Sequence, residues 1–331
     1  MGRVFIGSEA LAAGALTRSA LRWNYRRIFP DVYVPAASQL SLRDRTIAAW
    51  LWSGRGAVVA GAAAAALHGA KWVDAEVPIE LIWRCGRPPP GVVVRNERID
   101  GDEVTGVAGM LVTTPERTAF DLARHLRRNP AVARLDALAN ATDVKAVDVL
   151  TLAQRYPGAR GMRRAVKSLS LMDGGAQSPR ESRLRLLLVD TWLDPVRTQI
   201  KVGEGRDVAY LDMGYDEPMI GLDYEGAHHN EDRKTYVYDI GRAERIESRG
   251  WIDIKVVKEH SPEFIQARVT EAFARRGYTP RLRPLPRKRP QTQSVAATPD
   301  LFRGVARWVL AVMAAVMLRG VRLRVRFSWV R

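Results

Sequence analysis

The chain reads as a mixed α/β protein, with three folded segments of different pattern followed by a basic tail. Three observations predict this. Near the amino terminus two short helical patterns flank Gly14 and lead into an extended stretch broken at Pro30-Asp31. Between Leu40 and Leu171 an Ala-rich helical run alternates with short β-branched runs. From Pro179 to Tyr278 the periodicity gives helix, strand, strand, long polar segment, helix, strand, helix. The expected segments are 1–40, 41–172, 173–280 and a partly disordered tail over 281–331.

The first segment starts with Ser8 to Trp23, where the second helix is capped by Thr17 or its neighbour, and Arg26 to Val34 then reads as a two-stranded wing. Helix, turn, helix and wing predict a winged helix, a shape that places its second helix in the major groove of double-stranded DNA. Thr17, Arg18, Arg22, Arg26 and Arg27 are the candidate DNA contacts, mainly to phosphates, which give affinity without reading sequence. Arg18 and Arg22, four apart, are equally the pattern of an ordinary solvated helix face.

The second segment predicts an α/β connector with its own core: a helix around Ala60 to Leu67, strands at Ile79 to Trp83 and Val92 to Val94, and a helix from Glu116 to Arg128. It holds no evident catalytic constellation. In the third segment, Ser178-Pro179-Arg180-Glu181 carries a helix start, with Ser as N-cap, Pro in the first turn and Glu three residues on. Asp212 lies on an expected strand from Val208 to Met213, Asp216-Glu217-Pro218 marks a turn, and Asp223 and Glu225 follow two apart on one strand face. Asp212, Asp223 and Glu225 thus form a candidate site for Mg²⁺ or Mn²⁺, since hard cations take carboxylates, waters and phosphates. His228 stands nearby as a candidate acid or base, and Glu181 approaches from the helix unless it only closes its own capping box.

The combination of Glu181 on a first helix, Asp212 on a hairpin, Asp223-Tyr224-Glu225-Gly226 with His228, Asp239-x-x-Arg242 and Gly250-Trp251 before a strand resembles the very-short-patch-repair-like endonuclease domain of the PD-(D/E)XK superfamily. The resemblance covers Gly174 to Gly277 and implies a restriction-endonuclease-like fold in which Asp212 and Asp223 hold the metal, Glu225 supports it, and Glu181 and His228 join the catalytic set. The family usually shows Glu-x-Asp-Gly, so the two carboxylates are exchanged here, and no Lys occupies the third motif position; Lys234 and Lys255 are not nominated. The amino-terminal stretch, with Gly61 to Gly69 and Thr113 to Ala123, resembles AbiEi-type antitoxins of type IV abortive-infection systems. That likeness implies a cognate toxin as partner. Two functions are therefore expected: a metal-dependent DNA endonuclease delivered by the winged helix, or a non-catalytic DNA-binding regulator of antitoxin type that retains an inactive nuclease fold.

Charge separates the body from the tail. Of a formal +16, +11 lies between Arg281 and Arg331, leaving a mildly basic body. The tail joins a Pro-rich basic stretch to an apolar run, Trp308 to Leu318, shorter than the ~20 residues that span a bilayer, so at most a weak membrane-surface contact is expected. The single cysteine, Cys85, excludes an internal disulfide and a Cys-based zinc cluster, and with no visible signal peptide a cytoplasmic setting is expected.

Overall fold

A computed structural model describes residues 3–192, 194–226 and 233–283. The tail calls beyond Arg283 and the predicted site residue His228 lie outside the described residues. Within them the chain is mixed α/β, built on sheets of three, five and four strands.

The first sheet is formed by β1 (Phe5–Ile6), β2 (Tyr25–Phe29) and β3 (Val32–Pro35), ordered β1-β3-β2 and antiparallel. Helices α1 (Gly7–Ala12) and α2 (Arg18–Asn24) are inserted between β1 and β2. Thr17 caps α2, its Oγ1 accepting from Ala20 N at 3.1 Å. Asp31 sits in the hairpin turn at φ 59° and accepts from Ser8 N (2.9 Å) and Ser8 Oγ (2.5 Å), which ties the turn to the start of α1. A third helix, α3 (Leu42–Trp52), packs Ala48 and Leu51 against Val32 and Val34 and so closes the back of this sheet.

The second sheet contains β4 (Val58–Ala60), β5 (Ile79–Ile82), β6 (Val92–Arg95), β7 (Val104–Val107) and β8 (Met110–Thr113), ordered β6-β5-β4-β8-β7. Helix α4 (Gly61–Leu67) follows β4 so closely that a Cβ at Gly61 would meet the Glu80 Oε1 at 2.5 Å; with φ +60°, the position takes glycine. Helix α5 (Pro115–His125), with Thr114 as N-cap, runs through the main core of this segment, burying Ala119, Phe120, Leu122 and Ala123. It ends at His125, short of the predicted Arg128, because Leu126 is extended and a new helix, α6 (Arg128–Thr142), starts there. Helices α7 (Ala146–Ala153) and α8 (Met162–Leu169) complete this layer.

Helix α9 (Pro179–Thr191) opens the last part, with Ser178 as N-cap. Strands β9 (Arg197–Val202), β10 (Ala209–Tyr215) and β11 (Ile220–Tyr224) form an antiparallel run. The crossover helix α10 (Arg233–Ser248) then returns the chain to β12 (Ile252–Val256), parallel to β11, and α11 (Pro262–Arg275) follows. The hairpin predicted around Asp216-Pro218 is present, with Met219 at φ 52°. Strand β9 is an element the pattern does not reveal. It lies at the sheet edge, and only Ile200 and Val202 of its six residues are buried. Leu184 and Leu188 of α9, Trp192 just after it, and Val269 and Phe273 of α11 cover one sheet face against Met213, Leu222 and Ile254.

One polar junction joins α6 to α9. Buried Asp136 accepts from Asp173 N (2.7 Å), Ser182 Oγ (2.7 Å) and Arg185 Nη2 (2.8 Å). Among the described residues no helix is long and apolar enough to cross a membrane.

Candidate functional site

Two surfaces carry the predicted site residues. On the first, Thr17, Arg18, Arg22, Arg26 and Arg27 are all exposed on α2 and the adjoining strand β2. Thr17 is engaged as the helix cap, and Arg26 Nη2 donates to Ser38 O at 3.0 Å. Arg18, Arg22 and Arg27 form no ion pair among the described residues, so their charge faces solvent. Trp23, 74% exposed, projects beside them with the Arg22 guanidinium 5.7 Å from its ring centre.

The second surface is the acidic cluster at the carboxyl ends of β11 and β12. One step past the paired Met213 and Leu222, the antiparallel register brings Asp212 opposite Asp223. There each side chain takes a backbone N–H from the other strand: Asp223 Oδ1 accepts from Asp212 N (2.9 Å), and Asp212 Oδ2 from Tyr224 N (2.7 Å). The other oxygen of Asp223 meets two cations, Arg242 Nη1 at 2.5 Å and Lys255 Nζ at 2.9 Å. Lys255 also approaches Asp253 (3.0 Å) and Glu225 (3.8 Å), so an ammonium stands among three carboxylates.

The charges follow from these contacts. Burial would raise Asp223, but the hydrogen bond from Arg242 and the charge of Lys255 outweigh it and hold the carboxyl below its ordinary value. Among the described residues Asp212 forms no ion pair. Burial pushes it up, and although Tyr224 N–H and, only weakly, the nearby charge of Arg242 oppose this, the charges of Asp223 and Glu181 bring it to about 7. Asp253 rises to about 6 through burial and the charge of Asp223; its contact with Lys255 is an ion pair rather than a directed hydrogen bond.

The structure therefore brings Asp212 and Asp223 together, keeps Glu181 within electrostatic range of Asp212, and leaves Glu225 exposed at the rim. Glu181 itself is buried and accepts from Gln177 N at 2.7 Å, while its own N–H donates to Ser178 Oγ at 3.2 Å, a capping arrangement shifted one residue outward. As arranged, a hard divalent ion at this cluster would share Asp223 with Arg242 and Lys255. Such an ion needs carboxylate lone pairs aimed at a common point ~2.1 Å away, whereas both oxygens of Asp223 are already engaged. Neither Arg242 nor Lys255 is marked by the sequence motifs as a partner of Asp223. The available signal was the Asp253-x-Lys255 alternation on a strand parallel to β11, which sets Lys255 in register with Asp223.

Among the described residues, the group of three metal-type side chains with ligand atoms within 4.8 Å of one another is Glu97, Asp121 and His125, in the connector. These groups already have protein partners. Arg124 donates to Glu97 and, at 3.0 Å, to Asp121, and Arg117 Nε lies 3.0 Å from Asp121. Arg117, 1% exposed, also meets Glu103 at 2.5 Å and Tyr156 Oη at 3.2 Å. The Thr113 to Ala123 signature is thus a buried ion network packed on the five-stranded sheet.

Comparison with known proteins matches this region. Residues 57–173 fit the family model of the AbiEi antitoxin C-terminal domain. Over 255 residues, 75% of this chain, the protein is also 28% identical to an uncharacterized protein of Mycobacterium tuberculosis, found in strains CDC 1551 / Oshkosh and ATCC 25618 / H37Rv, covering 92% of that protein.

Proposed function

We propose that the protein is a non-catalytic, DNA-binding regulator of antitoxin type, as in a type IV abortive-infection-like toxin–antitoxin system. The observation that carries this reading is the exposed arginine face of α2 and β2 adjoining a segment similar to the AbiEi antitoxin C-terminal domain. In this reading the amino-terminal unit acts as a winged helix, with Arg18 and Arg22 on the helix entering the major groove and Arg27 on the wing strand meeting phosphates. A cognate toxin is the expected protein partner, and the cytoplasm the expected setting. The last part of the chain serves as a restriction-endonuclease-like module that does not cut, because Arg242 and Lys255 neutralise Asp223 from within. Binding to labelled duplex DNA, followed by anisotropy over a salt series, tests this. Loss of affinity in Arg18→Ala/Arg22→Ala supports the reading, and unchanged affinity removes this face from the interface.

A second reading is a Mg²⁺- or Mn²⁺-dependent endonuclease. It is favoured by the order helix, three strands, helix, strand and by a lysine 2.9 Å from Asp223 beside Asp212. It requires Arg242 to give up Asp223 to the metal while Lys255 stays beside it. Plasmid nicking with either metal, abolished in Asp212→Ala and Asp223→Ala, would establish it; binding without nicking supports the regulator.

A further inference from the structure

On the sheet face opposite the acidic cluster, a cleft of about 630 Å³ opens where the carboxyl ends of β11 and β12 meet the length of α9 and the start of α11. Its position is the one at which open α/β sheets commonly take ligands, outside the carboxyl ends of parallel strands. Its volume falls within the ~300–1,000 Å³ range of small-molecule sites. The floor is apolar, formed by Leu184, Leu187, Val256 and Ile265. Tyr224 stands at the wall with the Arg180 guanidinium 5.6 Å from its ring centre.

The charge of the cleft is one-sided. Asp190, its acid, is cancelled by Arg128 in a two-pronged pair at 2.7 Å. Arg180 and Arg183 are exposed and form no ion pair among the described residues, and Lys258 meets only the exposed Glu259, at 3.7 Å. Three cations therefore border an apolar floor with an aromatic wall.

We infer that this cleft binds a nucleoside phosphate, either as a free nucleotide or as one unit of a single strand. A bare phosphate would use the cations and leave the floor wet. An apolar peptide would cover the floor and leave three cations without counter-charge. A nucleoside phosphate satisfies both, with its base against Tyr224 and the floor and its phosphate toward Arg183 and Lys258, a division typical of single-strand binding surfaces. The cleft is separate from the duplex-binding face proposed above, and the test keeps the two apart.

The full chain carrying Arg18→Ala/Arg22→Ala/Arg27→Ala, which removes the free arginines of the amino-terminal face, is titrated with AMP and dTMP by calorimetry and with a labelled oligothymidylate of about ten nucleotides by anisotropy. Binding of the mononucleotides identifies a free nucleotide as the source of the ligand; binding of the oligonucleotide alone identifies a strand. Adding Arg183→Glu/Lys258→Glu should weaken either by about tenfold or more. Tyr224→Leu should weaken it by about fivefold or more, while Tyr224→Phe, which keeps the stack, should not. Circular dichroism checks folding, and Arg180→Ala, at an exposed position, supplies the test if the charge-reversed variant is unfolded. Binding of neither probe, or binding unmoved by Arg183→Glu/Lys258→Glu and by Arg180→Ala, overturns the assignment.

Discussion

Replacing Arg117 with Met tests whether the antitoxin-like signature is a structural ion network. The change keeps an unbranched stem of similar reach and removes only the guanidinium. Arg117 is 1% exposed, and its loss leaves Glu103, also 1% exposed, with Tyr156 Oη and the more distant Arg155 (3.5 Å), and Asp121, 2% exposed, with Arg124 as its remaining cation. Breaking a buried pair on one side costs about 3–5 kcal/mol, since an uncompensated charge remains in a low-dielectric interior. For a chain of this size each kcal/mol lowers the melting temperature by roughly 2–4 °C, so a drop of about 6–20 °C is expected. The assay is thermal unfolding followed by circular dichroism, with a urea series as a check that the slope is unchanged. Neutralising the two acids in Arg117→Met/Glu103→Gln/Asp121→Asn should recover much of the loss, because neutral groups of similar shape are far cheaper to bury than unpaired charges. A single-variant loss below about 1 kcal/mol, or a triple variant no more stable than the single one, refutes the reasoning.

Glu97 should give the protein an acid limb. Burial opposes its ionisation, but the hydrogen bond from His125 and the charge of Arg124 prevail and hold the carboxyl at about 2. A folded-state value below the unfolded one stabilises at all pH above the unfolded value of 4.5, and that stability is lost as pH falls from there toward 2. Stability of Glu97→Gln measured between pH 5 and pH 2.5 should therefore fall less steeply than wild type, and parallel curves would count against the network. Asp136→Ala should lower stability by about 3 kcal/mol or more in urea unfolding, since it leaves Arg185, 5% exposed, without its carboxylate; a loss under about 1 kcal/mol would show that Leu171 O alone satisfies that arginine. Asp31→Ala should cost about 1–2 kcal/mol by removing two hydrogen bonds to Ser8, and would also strain a turn at φ 59°; an unaltered melting temperature would exclude this tie. Arg26→Ala/Arg27→Ala should flatten the salt dependence of duplex binding by about one to two units of slope, with Arg27→Ala contributing more because Arg26 is partly held by Ser38 O, and an unchanged slope would place both outside the phosphate path.

Several features of the chain were legible because their signals are local. The N-cap at Ser178, the cap at Thr17 and the turn at Asp216-Pro218 each act within three or four residues, and each stands where the pattern put it. Strand β9 was not legible, since its alternation is confined to Ile200-Lys201-Val202, too short a run to mark a half-buried strand. The break after His125 is hidden by Leu126-Arg127, both good helix formers, although Pro130, in the first turn of α6, is a local signal against one continuous helix.

The acidic cluster divides along the same line. That Asp212 and Asp223 would be neighbours followed from the hairpin register and the period of a strand, both properties of contiguous residues. The cations that meet Asp223 did not follow, because Lys255 arrives through a parallel pairing made only after the crossover helix, and Arg242 reaches in from that helix. By itself the sequence determined where helices begin, where hairpins turn and which carboxylates share a strand face. Only the tertiary structure decided which of those carboxylates are neutralised from within, since the state of a buried charge depends on the cations that distant segments deliver to it.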